Sequence, residues 1–96
     1  MPVYFVAQVE IHDQAGYDRY AEQAGPSFEG IDAKVLAVDD APTVLEGKWH
    51  GPRTVMMEFP DEATFRKWYD SPAYQEAAKL RHHATDSNAV LLAGLG

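Results

Sequence analysis

The sequence predicts an α+β fold, and two patterns predict it. Apolar residues alternate with period two in short runs near both ends and in the middle of the chain. Between them lie two stretches with the i, i+3, i+4, i+7 spacing of an amphipathic helix. In order the segments are strand, helix, strand, strand, helix, strand, with an additional extended piece at 43–49.

The first strand spans 3–11. Val3, Phe5, Ala7, Val9 and Ile11 share one face, and Tyr4, Val6, Gln8 and Glu10 the other. Asp13 then stands where a helix N-cap is needed. Tyr17, Tyr20, Ala21 and Ala24 form a helical stripe that Gly25-Pro26 ends, because proline excludes helical geometry from the residue before it. A second strand is expected at 33–38, a turn at 39–42 ("DDAP"), extension again at 44–49, a turn at Gly51-Pro52 and a strand at 53–59 ("RTVMMEF"). Asp61 caps the next helix, with Glu62 at the positive end of its dipole and Phe65, Trp68 and Tyr69 on one face. "DSPAY" breaks and restarts that helix. Ser71 caps the new segment, and Pro72 takes the first helical position, where its missing N–H costs nothing. Tyr74, Ala77, Ala78 and Arg81 repeat at helical spacing, and a last strand is expected at 89–95, ended by Gly96.

This order is the ferredoxin-like βαββαβ arrangement, an antiparallel sheet with two helices on one face. The other face would carry Tyr4, Val6, Gln8, Thr54, Met56 and Glu58, too apolar to leave in water and too polar for plain core. A second copy of the chain is the expected cover. Size argues the same way. Ninety-six residues form a single domain, 1–96, and a chain this short buries only roughly 60–65% of the surface its unfolded form exposes.

Composition excludes several classes of function. There is no cysteine, hence neither a disulfide nor thiol chemistry, and a reducing, cytoplasmic setting is expected. Neither a signal peptide nor an apolar run of bilayer-spanning length is visible. The net charge of −7 and scattered Lys and Arg make nucleic acid and anionic membranes poor partners. No Gly-rich phosphate loop and no metal-ligand spacing occurs. His82 and His83 are adjacent on a helix and point about 100° apart, which chelates poorly. Neither a cofactor nor a metal is expected.

The run "VLEGKWHGPRTVMMEFP", then "SPAYQEAAKLR" and a terminal strand, resembles the DUF1330 family over essentially the whole chain. The carrying elements are Leu45-Glu46-Gly47, Trp49, Arg53, Phe59-Pro60, Ser71-Pro72, Tyr74 and Arg81. The resemblance implies a dimeric α+β barrel. It names no reaction, since relatives of that barrel range from cofactor-free monooxygenases to proteins without known chemistry. One departure is visible: Val35-Leu36-Ala37-Val38 with Asp39-Asp40 replaces a glycine-containing turn.

The candidate site residues are Glu46, Trp49, Arg53, Tyr74 and Arg81. If 44–48 and 53–57 pair as a hairpin, Glu46 and Arg53 face each other. The simpler reading is a cross-strand tie worth roughly 0.2–1 kcal/mol. The functional one makes Glu46 a proton acceptor and Arg53 a clamp for an anionic group. Trp49 is packing or the wall of a pocket for a flat ligand. Arg81 either satisfies a helix C-terminus or aims its charge into the barrel. Tyr74 is core with its hydroxyl on a polar partner, and Ser71 is a cap, not a nucleophile. On the uncovered face, Glu10 or Glu58 is either an acid/base group or a dimer contact. Two functions follow from these alternatives. One is a homodimeric barrel that binds or transforms a small organic molecule by cofactor-free acid–base chemistry. The other is a non-catalytic homodimeric module whose interior is only interface.

Overall fold

The computed structural model describes residues 1–95; the Gly96 expected to end the last strand lies outside them. Its strands are β1 (Val3–Ile11), β2 (Lys34–Asp39), β3 (Arg53–Phe59) and β4 (Thr85–Ala93). Its helices are α1 (Gln14–Ala24), α2 (Glu62–Tyr69) and α3 (Pro72–Ala84), with a short 3₁₀ turn at Gly25–Phe28. The sheet is antiparallel in the order β2-β3-β1-β4, the ferredoxin-like topology.

The caps are where their chemistry requires them. Asp13 accepts from the Gly16 N–H, Asp61 from Thr64 and Ser71 from Tyr74. Ser71 also donates to the Trp68 carbonyl, so one hydroxyl closes α2 and opens α3. The expected break at Ser71-Pro72 separates two helices, α2 and α3.

Alternation in β1 holds throughout. Val3, Phe5, Ala7 and Val9 are buried under the helices, while Tyr4, Val6 and Gln8 are half-buried on the far face. Phe59, Trp68 and Tyr74 are the largest fully buried side chains with Val9. Phe59 stacks on Trp68 at 5.6 Å between centroids, Phe28 covers it at 4.6 Å, and Phe5 meets it edge-on at 5.9 Å. Truncating an aromatic at such a position typically costs about 3–5 kcal/mol. The far face continues into β4, where Val90 and Leu92 lie opposite Val6 and Tyr4 and are about half exposed.

Two expectations are corrected. The chain from 40 to 52 forms no strand, and the piece at 44–49 is a surface connection in which Leu45 is 89% exposed. The reason is topological: β3 has two edges, and β1 and β2 occupy both. β4 starts at Thr85, four residues before the expected position. Its polar opening, Thr85 to Asn88, is drawn into the sheet by pairing with Ile11 to Gln8 of β1. There is no loop between α3 and β4; the Ala84 carbonyl at that junction accepts from both His12 and Asp13 N–H.

Candidate functional site

Sheet and helices do not close completely on each other. A cavity of about 350 Å³ lies between β1, β2 and β3 on one side and α1, its 3₁₀ extension and α3 on the other. That volume sits at the low end of the roughly 300–1,000 Å³ typical of small-molecule sites. Phe5, Val9, Val55, Met57 and Phe28 give it apolar walls. Val35 and Val38 of the edge strand also line it and are 60% and 49% exposed, so it opens between α1 and β2.

The polar lining comes from three elements. Odd-numbered residues of β3 face the helices, which brings Arg53 to the cavity beside Tyr17 of α1. Its Nε–H donates to the Tyr17 hydroxyl at 3.1 Å, and its Nη1 contacts the Asp40 carboxylate at 2.6 Å. Partial burial works against the Arg53 cation, but the bonds to Asp40 and Tyr17 outweigh it and hold its pKa above the usual arginine value.

The Tyr20 and Tyr74 hydroxyls lie 2.9 Å apart, linking α1 to α3. Burial, with Tyr74 beside it, pushes the Tyr20 pKa well above the usual tyrosine range. Tyr20 therefore stays protonated and acts as a hydrogen-bond group. Arg81 stands over the Tyr20 ring at 5.9 Å and is only 6% exposed. Its Nη1 donates to Ser87 at 2.7 Å, while its Nε has no partner among the described residues. Burial disfavours the Arg81 cation, and what raises its pKa is chiefly charge interaction with Tyr74 and Tyr20, which acts only against their ionised forms.

Arg53, Tyr74 and Arg81 thus meet at one cavity, and Tyr17 and Tyr20 join them. Both tyrosines belong to a stripe that sequence reasoning assigned to packing alone. Their hydroxyls, at the same face as two arginines, are the signal that distinguishes a cavity wall from core.

The other two candidates lie elsewhere. Glu46 is exposed on the 40–52 connection and does not face Arg53, whose carboxylate partner is Asp40. Trp49 is 45% exposed, with its Nε1–H donating to Thr54 Oγ1 at 2.9 Å. It borders a shallow depression with Val44, Leu45 and Glu46, away from the tyrosines. His50 approaches the Asp86 carbonyl at 3.1 Å and is no part of the cavity.

Chemically, the lining supplies hydrogen-bond donors and positive charge. It contains no carboxylate, imidazole or thiol. Among the described residues no three His, Cys, Asp or Glu side chains converge as metal ligands. None of their helices is long and apolar enough to cross a membrane.

A family model described as a domain of unknown function, DUF1330, matches residues 2–95. The chain belongs to the DUF1330 family. No curated protein matches it. Among solved structures, this DUF1330 chain is similar to RPA0582, a protein of unknown function from Rhodopseudomonas palustris. The two share 26% identity at a TM-score of 0.82, over 99% of this chain and 83% of that one. It shares its fold with SnoaB, a cofactor-independent oxygenase from Streptomyces nogalater, at 14% identity and a TM-score of 0.68, covering 99% and 94% of the two chains. A dimeric ferredoxin-like protein of unknown function from Jannaschia sp. CCS1 aligns at 17% identity and a TM-score of 0.69, covering 98% and 100%.

Proposed function

We propose that this DUF1330 protein binds a small organic molecule in the cavity between sheet and helices, or transforms it there by cofactor-free acid–base chemistry. The observation that carries this reading is an apolar cavity of about 350 Å³ with tyrosine hydroxyls and two guanidinium groups in its lining. The Tyr20 and Tyr74 hydroxyls and the arginine cations can hold negative charge that develops on a carbonyl oxygen, the role of preorganised donors in oxyanion stabilisation. SnoaB, a cofactor-independent oxygenase, shares the fold, which supports a reading that needs no cofactor. Of the five candidates, the reading uses Arg53, Tyr74 and Arg81 as ligand-contacting residues. Glu46 and Trp49 have no part in it, because they stand outside the cavity of a single chain. A purely structural module is less favoured: the cavity lies on the helix side, away from the sheet face a second copy would cover.

Assembly as a homodimer through that sheet face belongs to the same proposal. Val6, Met56, Val90 and Leu92 leave the face apolar around Tyr4 and Glu58. The Jannaschia relative with this fold is dimeric. Light scattering is expected to give twice the chain mass of 10.7 kDa; a folded monomer at micromolar concentration refutes it.

The binding reading is tested by ligand-observed NMR with flat aromatic compounds, on the parent protein and on Val38→Trp. Val38 lines the cavity from a half-exposed edge-strand position, so an indole there is placed to obstruct the mouth. Binding by the parent and its loss in Val38→Trp is the expected result. No binder, or equal binding by both proteins, refutes the cavity as the site.

A further inference from the structure

The two arginines at the cavity are not equivalent. Arg53 has its counter-ion: Asp40 lies 2.6 Å from Nη1. Arg81 has none. No carboxylate among the described residues comes within 4.0 Å of it, although it is the more buried of the two. A buried cation surrounded only by neutral groups is costly unless an anion completes the pairing.

The guanidinium is a planar fork, and its edges are used unequally. Nη1 donates to the Ser87 hydroxyl at 2.7 Å. The opposite edge consists of Nε and Nη2. Among the described residues Nε–H has no acceptor, and Nη2 makes a long 3.4 Å approach to His82 Nε2, with Tyr74 also close to the guanidinium. Ser87 is itself held in place, because Thr85 Oγ1 contacts it at 3.3 Å. One edge of Arg81 is therefore fixed and the other unsatisfied. Two parallel N–H groups on such an edge match the two oxygens of a carboxylate.

We infer that the ligand of this cavity is a small aromatic or branched apolar acid, its carboxylate seated on the Nε–Nη2 edge of Arg81 and its apolar body between Val55, Met57 and Phe28. The inference rests on the reading that the cavity takes a small organic molecule, and adds the chemical class. General attraction of anions does not account for such binding, since the chain carries a net charge of −7.

The test uses pairs of nearly equal shape and different charge: benzoate against nitrobenzene, and 2-naphthoate against 2-nitronaphthalene, at fixed ionic strength and neutral pH. Affinities are measured by calorimetry or NMR titration on the parent and on Arg81→Met, which keeps much of the apolar stem. The expected result is at least about tenfold tighter binding of the acids by the parent, as a charge-assisted bidentate pair affords. In Arg81→Met that preference is expected to disappear while the nitro compounds still bind. Equal affinity of acid and nitro compound in the parent overturns the carboxylate assignment and leaves the cavity reading standing. Failure of all four compounds to bind overturns both. If Arg81→Met does not fold, amide shifts in the parent decide. Shifts on benzoate addition centred on Arg81, His82 and Ser87 support the assignment, and shifts confined to other residues overturn it.

Discussion

Replacing Ser71 with alanine tests how the cavity's helical wall is held. The Ser71 hydroxyl accepts from the Tyr74 N–H at 3.1 Å and donates to the Trp68 carbonyl at 2.7 Å. Alanine removes both bonds, but they are not of equal weight. Trp68 O keeps the Ser71 N–H as a donor at 3.1 Å, so it stays satisfied. The Tyr74 N–H, in the first turn of α3, loses its only cap. The expected cost is therefore that of one N-cap, about 1 kcal/mol within a range of roughly 0.5–2. In a domain of this length that lowers Tm by about 4–8 °C. Urea unfolding at two fixed protein concentrations measures it and keeps any association from distorting the comparison. Ser71→Asp supplies an equivalent acceptor and is expected to stay within a few tenths of a kcal/mol of the parent. An unchanged midpoint in Ser71→Ala, or an aspartate variant as unstable as the alanine one, refutes the capping argument.

Three further outcomes are expected. In double-mutant cycles, Arg53→Met with Asp40→Asn gives a coupling of about 0.2–1 kcal/mol, since the Asp40 end of the ion pair is exposed to solvent. Arg53→Met with Glu46→Gln gives none, and a measurable Arg53–Glu46 coupling refutes the observed pairing. Gly51→Ala destabilises by more than about 1 kcal/mol, because φ is +65° and a Cβ would lie 2.7 Å from the Val9 and Glu10 backbone. A urea midpoint equal to the parent's contradicts that. The Asp61 pKa is lowered below its ordinary 3.8 by hydrogen bonds from the side chain and backbone of Thr64. Its contribution to stability is thus complete above the ordinary value and fades as pH falls through the lower, folded value. Asp61→Asn caps without titrating, so its thermal midpoint is expected to fall less steeply over that acid range; equal slopes contradict this.

What the sequence discloses depends on whether the deciding partner is near or far along the chain. Asp13, Asp61 and Ser71 cap helices with amides three residues away, so local chemistry predicts them. β1 is legible because both its neighbours obey its alternation. The misreading of 44–49 has a physical cause: Val44 and Leu45 look like strand residues only if something buries them, and β2 already holds the β3 edge. Glu46 is the nearest acid to Arg53 only if 44–57 forms a hairpin. Once that hairpin is absent, Asp40 and Tyr17 take the place. The polar start of β4 carries turn chemistry that long-range pairing overrides. As for the cavity, a tyrosine stripe looks the same in sequence whether it packs solidly or borders a space.

The position of β1 also shapes how the molecule is made. It leaves the ribosome before β2, β3 and β4, yet it is an inner strand of the finished sheet, paired with β3 on one edge and β4 on the other. Val3 finds its last partner in Ala93, nearly the full chain away. During synthesis β1 can pair with β3 and collect the early helices, but its second edge stays unpaired until β4 emerges. An unpaired edge of that kind is a template for pairing with another chain. Closing so large a loop adds little further entropy cost per residue, because that cost grows only with the logarithm of length. The vulnerable period is consequently the interval between the emergence of β3 and that of β4, during which the α3 wall that carries Arg81 and the sheet are both incomplete.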